Sequence, residues 1–453
     1  MKIKTTLILF AIFLVLFVFV YFFEIKGKSE ELEEEKLVDF SSDDVQKIIF
    51  KKEDETLSFQ KDEEGEWLIT EPLEARADKH EVSRLAEDFS ALRIERVVEE
   101  EPEDISKYKI PQKEITLWYK DKEHPLKILV GMENPLDNTF FAKREDELRI
   151  VLIPSHLSNT LEKKVFDFRQ KEIFKFETDE VKHIRLRAKE TRWEASKKEE
   201  DWFFKEPVNA LAKKSDIDDI ISSLSNLKAK EFVSEEKKKE EIEKHGLDKA
   251  EYEITLSMPL TNKEMTFVLH KEEHKVYAAT SLSSKIIEVE DSILSDLEKT
   301  SEELREKEVA DFYAWEVDKV HLKRGELEIN VFKDQEDKWH FDSPEKDEAD
   351  GEKIRNFVRK MESLEAEEFI DPPFELKDHG LDKPQAEIKI WTKDDEEKVK
   401  EITILVGKED KETKKIVVRN ARLDYLFKVD SDFLEEFPKA VEDLKVQEEE
   451  KKE

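Results

Sequence analysis

Two His-Gly-Leu-Asp-Lys segments carry residues whose type and spacing could do chemistry. They place His245 near Asp248 and His379 near Asp382. A histidine close to a carboxylate is a pattern used in metal binding and in acid–base catalysis. Each segment has one histidine and no second ligand at a fixed spacing, which favours a turn-stabilising role over a metal site. The four residues remain weak ligand-binding candidates.

The sequence lacks the other common motifs of catalytic and metal-binding sites. The chain has no cysteine and 8 glycines, which excludes disulfides, thiolate nucleophiles and Cys-ligated zinc. It contains no phosphate-binding glycine loop, no His-Glu-x-x-His motif, no calcium loop and no nucleophile elbow. Carboxylates are abundant, but no pair stands out from a solvated charged surface. We therefore predict no catalytic residue, no metal, no cofactor and no enzymatic activity.

A tryptophan recurs about every 136 residues and is followed five positions later by a proline. Repetition at a fixed period is the signature of a repeat architecture. The tryptophans could form a row that stacks on a carbohydrate, but each lies in an apolar strand before a helix that needs a partner, which favours the core. The repeat markers are Trp67 and Pro72, Trp202 and Pro207, Trp339 and Pro344, with turn glycines Gly246 and Gly380.

Each repeat reads as strands, a helix, further strands and a closing helix. Short alternating apolar runs between charged turns predict antiparallel hairpins, and apolar residues at helical spacing follow each proline, as from Val82 to Leu92. The predicted unit is β-β-β-α-β-β-β-β-α, an α+β fold with helices against one sheet face. The predicted segments are an anchor at 1–28, an acidic linker at 29–37, repeats at 38–174, 175–312 and 313–445, and a disordered charged tail at 446–453.

An apolar run near the N-terminus predicts a membrane anchor. The 17 residues from Leu7 to Phe23 span roughly 26 Å as a helix, the short end of what crosses a bilayer. No small-residue cleavage site follows the run, which favours an uncleaved signal-anchor over a signal peptide. The short N-terminal tail favours a cytoplasmic N-terminus and an extracytoplasmic body. The anchor positions are Leu7, Phe13, Phe17, Tyr21 and Phe23.

The composition restricts the partners. Charged residues make up 43% of the chain and the formal net charge is −35. Such a chain repels nucleic acid and anionic lipid headgroups. A cationic partner stays open, although solubility alone accounts for the charge. We expect no nucleic-acid partner.

The repeat motifs resemble a bacterial domain-of-unknown-function family, the one numbered forty-three forty. The resemblance rests on the anchor, the Trp-x(4)-Pro spacing, Gly380-Leu381-Asp382-Lys383-Pro384 and Val406-Gly407. The first repeat lacks the Gly-Leu-Asp motif, and the second has Ala250 and His270 in place of the proline and the later glycine. Members of this family are often encoded beside ABC-type transport components similar to those of gliding-motility systems. The resemblance therefore implies membership of a membrane complex and implies no catalytic residue.

These features favour one function over two others. We expect a non-enzymatic, membrane-anchored extracytoplasmic scaffold or accessory subunit of a membrane complex, with ABC-type transporter subunits as partners. The first alternative is an extracytoplasmic binding module for an envelope polysaccharide or peptide. The second alternative is an unrecognised hydrolase, which requires converging carboxylates or histidines.

Overall fold

The computed structural model describes residues 35–52, 55–120, 122–172, 174–344, 346–393 and 399–446. The predicted anchor lies outside this range, so it stays a prediction, as do nearly all of the charged tail and most of the acidic linker. Among the residues that the structure describes, no helix is both long enough and apolar enough to cross a bilayer.

Repeat 1 forms a single antiparallel sheet of nine strands. The strand order is β4-β3-β2-β1-β6-β7-β8-β9-β5. The strands are β1 Val45–Lys52, β2 Glu55–Lys61, β3 Trp67–Glu71, β4 Ala75–Arg76, β5 Arg96–Glu99, β6 Lys113–Tyr119, β7 Leu126–Glu133, β8 Phe140–Arg144 and β9 Ile150–Ile153. The helices are α1 Lys79–Ser90, α2 Ser158–Glu162 and α3 Val165–Phe168.

Repeat 2 has the same nine-stranded topology, in the order β13-β12-β11-β10-β15-β16-β17-β18-β14. Its strands are β10 His183–Ala188, β11 Thr191–Lys198, β12 Asp201–Glu206, β13 Ala210–Ala212, β14 Glu231–Ser234, β15 Tyr252–Met258, β16 Lys263–Glu272, β17 Lys275–Thr280 and β18 Ile286–Val289. Its helices are α4 Lys214–Ser225, α5 Lys239–Lys244 and α6 Ile293–Leu297.

Repeat 3 has eight strands, in the order β21-β20-β19-β23-β24-β25-β26-β22. They are β19 Val317–Arg324, β20 Leu327–Lys333, β21 Trp339–Ser343, β22 Glu368–Ile370, β23 Ala386–Lys393, β24 Val399–Asp410, β25 Lys415–Asn420 and β26 Leu426–Asp430, with helix α7 at Gly351–Glu362. Short 3-10 turns across the chain lie at Ser42–Asp44, Ser106–Tyr108, Ser155–Leu157, Thr178–Glu180, Leu247–Lys249, Ala314–Glu316, Leu376–His379, Ser431–Glu436 and Val441–Leu444.

Each sheet consists of two meanders joined at the middle. In repeat 1 the first strand of the first meander, β1, pairs with the first strand of the second, β6. The strand after the long helix, β5, crosses to the far edge and pairs with β9. The predicted α+β class and the three repeats are thus confirmed, and the fold is mostly sheet. The predicted closing helix is wrong for repeat 3, where the chain forms the 3-10 turn Ser431–Glu436 instead. The edge strands β4 and β13 are additions that the sequence did not predict, because two or three residues carry no alternation.

The long helix of each repeat packs its apolar face on the sheet. In α1 the buried residues are Val82, Leu85, Ala86 and Phe89, which share one face at helical spacing. Asp78 caps this helix by accepting hydrogen bonds from two backbone N–H groups of the first turn, which otherwise have no partner in a helix. Helices α4 and α7 bury the same positions, namely Ile217, Ile220, Ile221, Leu224 and Ile354, Phe357, Val358, Met361.

The chain divides into two compact units, 1–173 and 174–453. Repeat 1 belongs to the first unit, and repeats 2 and 3 form the second. Within the second unit Ala210 of repeat 2 belongs to the same buried cluster as Trp339 of repeat 3. Repeat 2 therefore contacts the hydrophobic core of repeat 3 through Ala210.

Candidate ligand site beneath the third turn

The turn that precedes the second meander has a residue with positive φ at the same position in all three repeats. Gly246 and Gly380 have φ of +66° and +70°, and Lys109 of repeat 1 has φ of +51°. This left-handed conformation suits glycine and costs other residues energy. The expectation that the Gly-Leu-Asp segments form turns with positive φ is confirmed. Repeat 1 keeps the turn with a lysine in place of the glycine.

A second glycine lets this turn approach the sheet. A Cβ atom on Gly131 would lie 2.3 Å from the carbonyl oxygen of Tyr108, and one on Gly407 would lie 2.3 Å from that of His379. Repeat 2 has His270 at the corresponding sheet position, opposite Tyr277 on β17. Its ring lies so close to Gly246 that a Cβ there would be 2.3 Å away. The histidine that replaces the second glycine in repeat 2 is thus accommodated because its ring lies against Gly246, which has no side chain.

The structure places the two candidate histidines in different surroundings. His245 is buried and its ring lies 4.5 Å from that of Tyr277, centroid to centroid. Its Nε2 atom has no hydrogen-bond partner in the described residues and lies 3.5 Å from a carboxylate oxygen of Glu241. Asp248 is exposed in the following 3-10 turn. His245 therefore fills an apolar cluster and does not form a pair with Asp248.

His379 instead lines an open cavity of about 560 Å³ in repeat 3. The floor is the outer face of β22, β25 and β26, and the walls are the Leu376–His379 turn and the hairpin between β24 and β25. Asp382 is exposed and does not line the cavity, whereas Asp378 does. The structure thus brings one of the four candidate residues to a cavity.

Charged side chains define the floor of this cavity. The Glu368 carboxylate accepts hydrogen bonds from the ammonium groups of Lys415 and Lys428, the latter at 2.7 Å. Hydrogen bonds from both lysines lower the pKa of Glu368 to about 2, so this carboxylate is ionised at neutral pH. The same contact with Glu368, helped by Glu367, raises the pKa of Lys415 above its ordinary value. The ammonium groups of Lys415 and Lys428 are thus paired with the carboxylates of Glu367 and Glu368.

The rim of the cavity is richer in carboxylates. Asp378, Glu409 and Glu412 lie there with Lys408 and Lys411. A fourth rim carboxylate, Asp410, has its pKa lowered by the backbone N–H groups of Glu412 and Thr413, which hold the hairpin. The cavity therefore offers cations at its floor and an excess of anions at its mouth.

The repeat tryptophans are core residues. Trp67, Trp202 and Trp339 are 3%, 1% and 3% exposed, and the indole N–H of Trp202 donates to Asp218 at 2.9 Å. A row of tryptophans that stacks on a carbohydrate is therefore excluded for these three residues. No group of three or more potential metal ligands occurs in the part of the chain that the structure describes.

The sequence reasoning missed an exposed aromatic pair. The rings of Tyr313 and Trp315 stack at 5.8 Å and 17°, and the two side chains are 59% and 68% exposed. They lie where the chain passes from repeat 2 to repeat 3. The available signal was the aromatic density of Phe312-Tyr313-Ala314-Trp315, between two predicted repeats.

Comparisons with known proteins agree with the repeats and give no activity. A family model described as a domain of unknown function (DUF4340) matches residues 67–203, 202–384 and 339–449. Each match begins at or next to a repeat tryptophan. No curated protein matches the chain. A solved DNA polymerase sliding clamp from Pseudomonas aeruginosa aligns with 87% of this chain and 93% of its own chain at 9% sequence identity. Its TM-score of 0.15 is too low to indicate a shared fold.

Proposed function

The chain belongs to the domain-of-unknown-function family DUF4340, and from this premise we propose that it is a non-enzymatic accessory subunit of a membrane complex. In this proposal the N-terminal segment anchors the protein in the membrane and the three repeats lie outside the cytoplasm. The favoured partner is an ABC-type transport system, as the family resemblance implies. The observation that carries the proposal is the exposed pair Tyr313 and Trp315.

Exposed aromatic residues of this kind are typical of protein interfaces. Tyrosine and tryptophan are enriched among the residues that dominate binding energy, because they bury a large area with little loss of conformational freedom. The other hydrophobic side chains of the described residues that are more than half exposed are aliphatic and scattered along the chain, namely Leu136, Leu148, Leu260, Leu282, Val399 and Val446. Isolated exposed residues need no explanation, whereas a stacked aromatic pair marks a contact surface.

The segment that carries the pair is held on both sides. Asn420 donates to the carbonyl oxygen of Val309 at 2.9 Å, and the Lys400 ammonium donates to that of Asp311 at 3.0 Å. The neighbouring Phe312 is buried. Between the two aromatic residues, the backbone N–H of Ala314 donates to the Glu362 carboxylate of α7 at 3.2 Å. A rigid presentation lowers the entropy cost of binding, which suits a preformed docking surface.

Site-specific photo-crosslinking in cells tests the proposal. A photoreactive amino acid replaces Trp315 in the full chain, and the matched control carries it at Leu260, an exposed turn residue of repeat 2 that is 82% exposed. We expect membrane-complex subunits, among them ABC permease or ATPase chains, to be crosslinked from position 315 and not from position 260. The crosslinked proteins are identified by mass spectrometry.

Two results would count against this function. If position 315 crosslinks to no protein while the variant is folded and at the membrane, the aromatic pair is not a partner surface. If glycan is recovered in place of protein, the alternative of a binding module for an envelope polysaccharide or peptide gains support. That alternative has one structural observation in its favour, the cavity of repeat 3.

A further inference from the structure

The outer face of the second meander differs among the three repeats at equivalent positions. In repeat 1 the paired residues on β8 and β9 are Phe141 and Leu152, which are buried with Tyr108 of the turn. The rings of Tyr108 and Phe141 lie 4.6 Å apart. The space beneath the first turn is therefore filled by the side chains of the repeat itself.

Repeat 2 fills the same space in a related way. The paired residues are Tyr277 and Glu288, and the Tyr277 ring contacts His245. Glu288 is 5% exposed and is bound by Lys275 at 2.7 Å. The Tyr277 and His245 rings and the ion-paired Glu288 thus occupy the space beneath this turn.

Repeat 3 has smaller and charged residues at these positions. The pair is Val417 and Lys428, so a valine stands where the other repeats have an aromatic ring. His379 of this turn lies 6.2 Å from the ring of Phe374, an aromatic residue of the preceding loop. The smaller Val417 side chain lines the open cavity of about 560 Å³, a volume in the range of small-molecule sites.

The distribution of charge selects the ligand. Lys428 has Glu368 as its one ion-pair partner among the described residues, and an ammonium group has three N–H donors. The rim residues Asp378, Glu409 and Glu412 have no cation partner there. Ile370 and Val417 add apolar surface between the two charged regions. We propose that this cavity binds a short peptide with free ends, its carboxylate on Lys428 and its ammonium group at the acidic rim.

This inference does not depend on the proposed partner surface. The aromatic pair Tyr313 and Trp315 does not line the cavity. Loss of crosslinking at position 315 leaves the peptide site untouched, and loss of peptide binding leaves the partner surface untouched. The two proposals therefore fail separately.

Calorimetric titration of the full chain with trialanine tests the site. We expect binding with a dissociation constant of about 1 mM or tighter. Trialanine amide, which lacks the free carboxylate, and N-acetyl-trialanine, which lacks the ammonium group, should each bind at least about tenfold more weakly. These two blocked peptides separate the contribution of the floor from that of the rim.

Two substitutions test the location. Val417→Phe restores the aromatic ring of repeat 1 without removing a charge, and Lys428→Met removes the floor cation while Glu368 keeps Lys415. Each should weaken trialanine binding at least about tenfold. Lys338→Met, at an exposed ion pair of the same repeat, is the control and should bind as the unaltered protein does.

Clear results would overturn the proposal. No heat of binding at about 5 mM trialanine would exclude a peptide site of this affinity. Unchanged binding by Val417→Phe, with an unchanged melting temperature, would show that the peptide binds elsewhere. Equal affinity for trialanine and its two blocked forms would exclude recognition of the peptide ends. Because Val417→Phe alters only side-chain volume, it keeps the test decisive if Lys428→Met fails to fold.

Discussion

Glu308 shows how a single carboxylate responds to its surroundings. It lies near the end of repeat 2 and forms an isolated β-bridge with Glu365 of repeat 3. Burial, followed by the nearby charges of Glu306 and Asp311, raises the pKa of Glu308 above its ordinary value. The folded protein therefore binds a proton at this position more tightly than the unfolded chain does, and the ionised form destabilises the fold.

The pH dependence of this residue has a definite sign. The destabilisation is present at neutral pH and decreases as the pH falls through the raised pKa of the folded state. Below the ordinary pKa of about 4.5 both states are protonated, and the effect is gone. Glu308→Gln should therefore raise the melting temperature at pH 7 and leave it unchanged near pH 4.

Melting curves of the two proteins between pH 4 and pH 8 measure this difference. The control is Glu326→Gln, at an exposed hairpin turn, because it removes one negative charge outside the acidic group formed by Glu306, Glu308 and Asp311. If Glu308→Gln raised the melting temperature equally at pH 4 and at pH 8, the raised pKa of Glu308 would not be the cause.

The two candidate histidines show how much of the site can be predicted from the sequence at the residue scale. The glycine after each one predicts the turn, and the structure confirms the positive φ. Whether the histidine lies in an apolar cluster or at a cavity depends on Tyr277 or Val417, which are paired with other strands. That difference is set by sheet register between distant segments, and a local pattern does not encode it.

At the scale of the elements, two glycines of repeat 3 are required for different reasons. Gly407 has ordinary φ, and a Cβ there would collide with the carbonyl oxygen of His379 at 2.3 Å. Gly325, in a hairpin turn of the same repeat, has φ of +60° and open space around it. The first glycine is required by a close approach and the second by its backbone conformation.

These two causes predict different losses of stability. Gly407→Ala should lower the free energy of unfolding of repeat 3 by about 2–3 kcal/mol, because backbone has to move to relieve the clash. Gly325→Ala should lower it by about 1 kcal/mol, the cost of the left-handed conformation alone. Urea unfolding of the two variants measures both values. A larger loss at Gly325 than at Gly407 would contradict the argument.

The long helices were the elements best predicted from the sequence. Their apolar residues recur at helical spacing over three turns, so the pattern is strong and local. The short strands β4 and β13 carry no such pattern and exist because an adjacent strand offers hydrogen-bonding groups. The strands that follow the helices were visible only as apolar pairs such as Val97-Val98, and their partners at the far sheet edge were not predictable.

At the scale of the molecule, one buried arginine connects repeats 2 and 3. Arg305 is 3% exposed and its guanidinium makes two contacts with Asp371, at 3.0 and 2.9 Å. It lies 3.8 Å from the ring centre of Phe369 and 4.5 Å from that of Tyr425. Burial raises the pKa of Tyr425 to about 12, so the ring stays neutral beside the cation. Arginine from the end of repeat 2 thus holds the edge of the sheet of repeat 3.

Removal of this arginine should uncouple the two repeats. Arg305→Met should lower the free energy of unfolding by about 2–3 kcal/mol, less than for a fully buried pair because Asp371 is partly exposed. Arg187→Met, at an exposed ion pair with Glu253, should cost about 0.5 kcal/mol or less. Denaturant unfolding of the full chain compares the two, and we expect Arg305→Met to separate one transition into two. Equal effects of the two variants would contradict the role of Arg305.

The strand that follows each long helix imposes an order of events on a chain that is made from its N-terminus. In repeat 1, Arg96 of β5 pairs with Leu152 of β9. Strand β5 therefore cannot pair until β9 has been synthesised, and every other strand of the second meander is synthesised before β9. Such distant pairing makes folding slow and leaves an apolar strand without a partner during that time. A repeat that has emerged only as far as β8 is therefore an unfinished sheet. This interval, before β9 is available, is when a chaperone is needed most.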